Sequence, residues 1–447
     1  MVVGRLIEAL NRPLDAASVA AYRIAFGALL LISTLRFFAH GWIREFYAVP
    51  THFFPYWGFG WVRPLPVLGM YALYAVIAAA ALCLMLGVAS RIAAALGALA
   101  FGYAHFCDKA NYLNHYYLIT LLLALFAFLP VDREFSLRVF RRPDERRGQV
   151  RAWVLYLLRF QVGVVYVFGG VAKLNADWLF FAEPLRIWLS ANAELPILGG
   201  ILNEPWAAFV FSWCGALFDL SIVPLLSVRV TRVPAYAVLV LFHVLTALLF
   251  RIGMFPWLMI VNATIFWSPG WPRSALAWLG PSRSLAPGVA GRPLTTSTSS
   301  LAAFYATVQL LLPLRSVLYP GNTRWTEEGF RFAWRVMLVE KAGSLEFEVE
   351  DRAGRRHSVS PREYLTPFQA RMASTQPDMI LQLAHWIARD SELRGAGAVR
   401  VYADSEVSFN GRLRRRLIDP TRDLATIEDG LASKPWILPA PNDAPAF

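Results

Sequence analysis

Apolar runs close to bilayer-spanning length recur along this chain, and no soluble fold has a use for so many. A helical span takes about 20 predominantly apolar residues, with roughly 17 to 25 tolerated. By that measure the segments 17–39, 66–88, 92–107, 113–131, 152–172, 206–228, 233–250, 253–268 and 301–318 are expected spans, about nine in all. The third, seventh and eighth are short, so one of them is a candidate re-entrant element. Of the 447 residues 57% are hydrophobic and 17% charged, against roughly 45–50% and 25% in soluble domains. That balance excludes a disordered, collagen-like or small disulfide-stapled chain. Cys83, Cys107 and Cys214 lie in or beside apolar runs with no zinc or redox spacing.

Charge sets the direction of insertion. The formal charge of +12 is spread in short basic clusters between apolar runs, a pattern that orients membrane helices and does not mark a nucleic-acid face. With the N-terminus in the cytoplasm, the inner connections hold Arg5, Arg12, Arg91, Arg133, Arg138, Arg141, Arg142, Arg146, Arg147, Arg151, Arg229, Arg232, Arg273, Arg283 and Arg292. The outer ones hold only Arg44, Arg63, Lys109, Lys173, Arg186 and Arg251. The C-terminal tail is therefore expected outside. Glu8, Pro13 and Asp15 precede the first apolar run and argue against a cleavable signal, so insertion is expected to use internal spans.

Composition changes after residue 318. Leu345, Phe347 and Val349 alternate with polar residues, as in a half-buried strand, and 399–409 is a second strand candidate. Between them Ile380, Leu383, Ala384 and Ile387 recur at helical intervals behind Pro377. The expected organisation is a transmembrane helical bundle over 1–280, a Gly-, Pro-, Ser- and Thr-rich cytoplasmic linker over 281–300, a last span over 301–318, and a small α+β extracytoplasmic domain over 319–447.

Polar residues at the membrane narrow the search for chemistry. Lys173 closes the fifth span in Gly169-Gly170-Val171-Ala172-Lys173-Leu174-Asn175-Ala176-Asp177-Trp178. A lysine there is commonly an interfacial anchor that snorkels to water. The paired glycines allow close approach of a neighbour, and a lysine kept dry loses proton affinity and can serve as a base. On the same side, Asn114 and His115 open the fourth span. They read either as donors that steady a developing oxyanion or as an ordinary capped helix start among interfacial tyrosines. His243 reads as a packing histidine. The aromatic segment 46–61 reads as an interfacial belt or as a wall for a flat ring. The run Arg412, Arg414, Arg415 and Arg416 is a solvated face or a site for an anionic peptide. The sequence contains no metal-ligand cluster, phosphate loop or nucleophile elbow.

Taken in order, these residues resemble the vitamin K-dependent gamma-glutamyl carboxylases and their bacterial relatives with a horizontally transferred transmembrane domain. The resemblance spans nearly the whole chain. It is carried by Leu10-Asn11-Arg12-Pro13 with Asp15, Ser18, Arg23, Phe26 and Gly27; by Asp108-Lys109 leading to Asn114-His115; by Lys173-Leu174 with Ala176-Asp177-Trp178; and by Ile252-Gly253-Met254-Phe255. It continues through Ser268-Pro269, Trp271-Pro272-Arg273, Gln309-Leu310, Leu312-Pro313, Trp325-Thr326, Trp334, Met337 and Ile418-Asp419-Pro420. After His243, Thr246-Ala247-Leu248 is less polar than the family pattern.

The resemblance implies an enzyme in which reduced vitamin K, phylloquinol or menaquinol, is deprotonated and oxidised by O2 to a strong base. That base takes the γ-proton of a peptidyl glutamate, and the carbanion captures CO2. It places the catalytic lysine on Lys173 and the supporting pair on Asn114 and His115. The expected quinone contacts are Trp178, Met254, Phe255, Trp334 and Met337, and the expected contacts of the glutamate-containing peptide are Arg412 and Arg415. Epoxidation without carboxylation, and a non-catalytic quinone- or lipid-binding protein or transporter, are the readings left open. High Ala and Arg content, with Asn262-Ala263-Thr264 inside a span and so no usable outer glycan site, points to a bacterial inner membrane.

Overall fold

The computed structural model describes residues 2–143, 148–196, 199–250, 252–277, 293–395 and 397–446. Each expected span folds around a helix, and we label these α1 (Ala17–Ala39), α2 (Val67–Leu86), α3 (Ser90–Phe106), α4 (Asn114–Phe128), α5 (Ala152–Lys173), α6 (Pro205–Ser227), α7 (Arg232–Leu249), α8 (Phe255–Ala263) and α9 (Thr296–Leu314). Six of them, α1, α2, α5, α6, α7 and α9 with its 3-10 extension to Leu318, are long and apolar enough to cross a membrane. The expectation of about nine spans is therefore met by six. The reason is length: at about 1.5 Å per residue, the 15 residues of α4 reach roughly 22 Å, short of the ~30 Å hydrocarbon core.

The last helix begins at Thr296, inside the expected linker, because Thr295 caps it and Thr298 returns the bond to the Thr295 N–H. Residues 281–292 of that linker, and Arg146, Arg147, Arg251, Arg283 and Arg292 of the charge pattern, lie outside the described residues.

The bundle packs through small residues. A Cβ on Gly27 of α1 would stand 2.7 Å from the Met85 backbone nitrogen and 2.9 Å from the Ala81 carbonyl oxygen of α2. Backbone cannot yield as a side chain can, so Gly27→Ala is expected to cost about 1–3 kcal/mol, read as a lower unfolding midpoint in detergent. Three sequence markers hold one end of the bundle together. Arg23 donates to the carbonyls of Val131 at 3.1 Å and Phe135 at 2.7 Å, while Arg273 binds Asp15 at 2.8 Å and also Glu134.

The C-terminal domain is a four-stranded antiparallel sheet. Its strands are β1 (Lys341–Glu350), β2 (Arg356–Val359), β3 (Arg400–Phe409) and β4 (Arg415–Arg416), in the order β2-β1-β3-β4. Full pairing of β1 with β3, from Lys341 opposite Phe409 to Glu350 opposite Arg400, fixes which side chains share a face. Leu345, Phe347 and Val349 therefore join Val401, Ala403, Val407 and Phe409 in one core. The helix α10 (Pro377–Leu393) adds Ile380, Leu381, Leu383, Ala384 and Ile387 to it.

Between α9 and β1 the chain returns to the membrane bundle. Asn114 donates to the Arg335 carbonyl at 2.9 Å, the Tyr112 hydroxyl accepts from the Phe332 N–H at 2.6 Å, and Trp334 stacks on Tyr117 with centroids 4.9 Å apart. Glu327, Phe332, Trp334 and Met337 all hold positive φ. Non-glycine residues accept that conformation only where surrounding contacts over-determine it. This strained segment roofs the cavities described next.

Candidate functional site

Lys173 is the last residue of α5, and the helix delivers its side chain inward, with 7% of the residue exposed. Its Nζ lies 2.5 Å from Oδ2 of Asp219, a buried carboxylate halfway along α6, and over the Trp178 ring at 5.3 Å from the centroid. The helices meet closely because of Gly169 and Gly170: Cβ atoms there would stand 3.3 Å from Asp219 Oδ2 and 2.8 Å from Leu220 Cγ. Asn175 then caps the turn that follows, accepting from the Trp178 N–H at 3.1 Å, and Trp178 Nε1 donates to the Ser212 carbonyl at 2.8 Å. Lysine, indole and carboxylate are thus set by two helices and one capped turn.

They line an apolar cavity of about 110 Å3 with Tyr166, Phe211, His243, Phe255, Met259 and Met337. Nε2 of His243 is 2.9 Å from the Tyr166 hydroxyl, whereas its Nδ1 is buried with no hydrogen-bond partner among the described residues. The packing histidine of the sequence reading therefore faces the same space as Lys173.

His115 lines a second and larger space of about 730 Å3, together with Lys109, Asn114, Ile252, Met254, Phe255, Arg331, Met337, Glu340 and Lys341. The two spaces share Phe255, Val336 and Met337, which form the partition between them. The Phe255 ring has His115 on one side, at 6.0 Å between centroids, and His243 on another, at 6.2 Å. The imidazole on the Lys173 cavity is consequently His243, and His115 stands across Phe255. His115 makes no hydrogen bond among the described residues, so its nitrogens are free for a ligand. Asn114 is committed instead: its amide donates to Arg335 and its oxygen accepts from the Tyr112 hydroxyl at 3.0 Å.

The other expected contacts separate. Trp178, Met254, Phe255 and Met337 line one or both spaces, whereas Trp334 is fully buried behind the roof against Tyr117 and lines neither. Arg412 is not available to a peptide, because it is buried and bonded to Asp177 Oδ1 at 2.6 Å and the Asp443 carbonyl at 2.7 Å. Asp177 also receives Asn410 at 3.0 Å and faces Arg324 at 3.4 Å, which ties the C-terminal domain to the turn four residues beyond Lys173. Arg415 sits on the short edge strand β4, exposed and away from both spaces.

Two further groups were not singled out in the sequence. Asp219 is the only charged residue in the run 206–228, and an intramembrane carboxylate is by default a functional candidate. The second is an ionic cluster where the domains meet. Asp378, in the first turn of α10, binds Lys109 at 2.8 Å and Arg331 at 2.7 Å, and Lys341 binds Glu327 at 2.7 Å. Burial alone would raise the Asp378 carboxyl, but Arg331 and Lys109 outweigh it and hold it well below the usual carboxylate range. Beside it, burial pushes Asp108 up to about 6 against hydrogen bonds from Ala110, Gln369 and Phe54. No pairing of this kind is legible from spacing, because the partners lie far apart in sequence.

Two family models match the chain. That of the HTTM domain matches residues 11–271, and that of the vitamin K-dependent gamma-carboxylase lumenal domain matches residues 295–443. No solved structure matches it. The first match alone covers more than half of the sequence, and the second takes in α9, the roof segment and most of the C-terminal domain. Joined in one membrane protein in this order, they show that the chain belongs to the vitamin K-dependent gamma-glutamyl carboxylase family.

Proposed function

We propose that the protein is a quinol-dependent carboxylase of peptidyl glutamate, with quinol epoxidation coupled to carboxylation and Lys173 as the base that deprotonates the hydroquinone. The observation that carries this reading is the Lys173–Asp219 pair, buried beside an apolar cavity that Phe255, Val336 and Met337 divide from a chamber of ligand size. The chamber, at about 730 Å3, falls within the ~300–1,000 Å3 of typical ligand sites.

The residues fit a flat, lipophilic hydroquinone. Met254, Phe255 and Met337 offer apolar and sulfur-bearing faces to a ring in the chamber, and His115 offers a polar contact for its edge, with the Nδ1 of His243, unpartnered among the described residues, across Phe255. When bound and oxidised by O2, reduced vitamin K supplies a base strong enough to take the γ-proton of a glutamyl residue, whose carbanion then takes up CO2. The protein's part is to move one proton and to keep water away. Passing a proton from the Lys173 ammonium to Asp219 leaves a neutral amine beside a neutral acid, a pair that a dry cavity accommodates without the cost of buried charge. The amine then takes the hydroxyl proton of the ligand once the side chains of Phe255 and Met337 part to join the two spaces. His115 orients the ring from the chamber side, and the roof at Val336 and Met337 excludes solvent that would quench a strong base.

The asymmetry of arginines supports an extracytoplasmic C-terminal domain, and the high Ala and Arg content supports a bacterial inner membrane. The test is direct. Purified protein given reduced vitamin K, a Glu-containing peptide and labelled bicarbonate is expected to form both quinone epoxide and acid-stable label. Epoxide without label would assign quinol oxidation alone, and neither product with quinone binding intact would assign a non-catalytic lipid-binding protein.

A further inference from the structure

A third space, of about 460 Å3, lies beyond the Lys109 and Arg331 wall of the His115 chamber, which it shares along with Glu327 and Phe330. Four parts of the chain build it. Arg315 comes from the 3-10 extension of α9, Glu328 from the roof segment, Asp429 and Lys434 from the C-terminal domain, and Tyr56 and Trp57 from the aromatic segment 46–61. Close contacts lock these parts together. Gly329, at a φ of +71°, packs so tightly on the extension that a Cβ would stand 2.7 Å from the Ser316 Cα. The Lys434 N–H donates to Glu328 at 2.9 Å, and the Tyr319 hydroxyl donates to the Leu431 carbonyl at 2.9 Å. The mouth is apolar, with Trp57 55%, Leu431 58% and Leu318 82% exposed. Exposed aromatic and apolar side chains where a spanning helix ends belong to the membrane–water interface, so this space opens among lipid headgroups.

Its charges are unmatched on both sides. Asp378 and Glu327 are neutralised by Lys109, Arg331 and Lys341. Arg315 instead donates to the carbonyls of Leu312, at 2.8 Å, and Arg331, and the Lys434 ammonium donates to the Gly430 carbonyl at 2.9 Å. Neither cation has an acid partner among the described residues. On the other side, Glu328 accepts the Lys434 N–H and Asp429 accepts the Gln382 amide at 2.6 Å, and neither has a cation partner among the described residues. The Tyr56 hydroxyl is buried there, also unpartnered among the described residues.

We infer that this space binds the headgroup of a phospholipid carrying both a phosphate and a primary ammonium, phosphatidylethanolamine. An anionic headgroup would leave the two acids unmatched, and a simple cation would leave the two bases so. A zwitterion answers both. The phosphate accepts from Arg315, Lys434 and Tyr56, while the N–H groups of the ammonium donate to Glu328 and Asp429, which a choline cannot do. The acyl chains lie along Leu311, Leu314 and Leu318, exposed at i, i+3 and i+7 on α9 and its extension.

The full chain in detergent, titrated with dioleoyl lipids, tests the assignment by equilibrium binding. Phosphatidylethanolamine is expected to bind about tenfold more tightly than phosphatidylglycerol or phosphatidylcholine, the scale of one hydrogen bond between charged groups. Lys434→Gln should weaken phosphatidylethanolamine and phosphatidylglycerol alike, by about tenfold. Asp429→Asn keeps an acceptor for Gln382 and should weaken phosphatidylethanolamine alone. A phosphatidylethanolamine with a photoreactive group on its acyl chain should label the wild type at Leu314 or Leu318, which needs no variant to fold.

Equal affinity for the three lipids, label confined to other helices, or undiminished binding in both variants would each overturn the inference. So would phosphoethanolamine without acyl chains binding as tightly as the lipid, which would assign a soluble ligand. No readout here uses turnover, so the outcome is independent of the Lys173 assignment.

Discussion

Lys173→Ala is expected to abolish both epoxide and labelled peptide, and Asp219→Asn to lower kcat on the order of 10²-fold or more with little change in KM for the quinol. The two effects have one origin. A lysine amine can accept a proton only if the one it already carries has somewhere to go, and the acceptor in contact is Asp219 Oδ2 at 2.5 Å. An amide at position 219 still hydrogen-bonds the amine but cannot take its proton. Asp219→Glu restores an acceptor at slightly altered reach and should recover part of kcat, which a merely structural loss would not allow. The measurement is steady-state kinetics on reconstituted protein, with quinone binding followed separately. Full activity of Lys173→Ala would end the assignment of the base, and unchanged kcat in Asp219→Asn would confine that residue to packing.

The contrast between Lys173 and Asp219 shows how much of the site was legible. Lys173 stands at the end of an apolar run, flanked by Gly169-Gly170 and by a capped Asn-Ala-Asp-Trp turn, so local pattern alone singled it out. Asp219 carries a comparable signal, a lone acid in an apolar helix, but its partner lies on another helix and only packing joins them. The Asn114-His115 pair divides for a related reason. Adjacent residues on a helix point about 100° apart, so although both line the chamber, Asn114 is engaged by the roof at Arg335 and His115 is not.

Longer-range matters were further from reach. The strands β1 and β3 and the helix α10 are periodic and were read closely from residues 344–350, 399–409 and 377–390. The roof segment has no period and takes its form from contacts with α4. Arg412 looked like a surface cation because an arginine run is usually solvated. Asp177, 235 positions away in sequence, made it a buried clamp.

Asp378→Ala is expected to destabilise the docked protein by about 3–5 kcal/mol, since it strands two buried cations. Lys109 of the membrane part and Arg331 of the roof share the Asp378 carboxylate, at 2.8 and 2.7 Å, and their side chains are 4% and 12% exposed. Removing it leaves the desolvation of both uncompensated, which should appear as a lower unfolding midpoint and as faster proteolysis between α9 and β1. The double variant Asp378→Ala/Lys109→Met should recover part of the loss by taking away one stranded charge. Acid should mimic the single variant. With its carboxyl held below the ordinary value, Asp378 contributes stability that is present above about pH 4 and fades as pH falls through the depressed folded value. The wild type should therefore lose more stability on strong acidification than Asp378→Ala does. Equal acid sensitivity of the two would mean that other carboxylates hold the domains together.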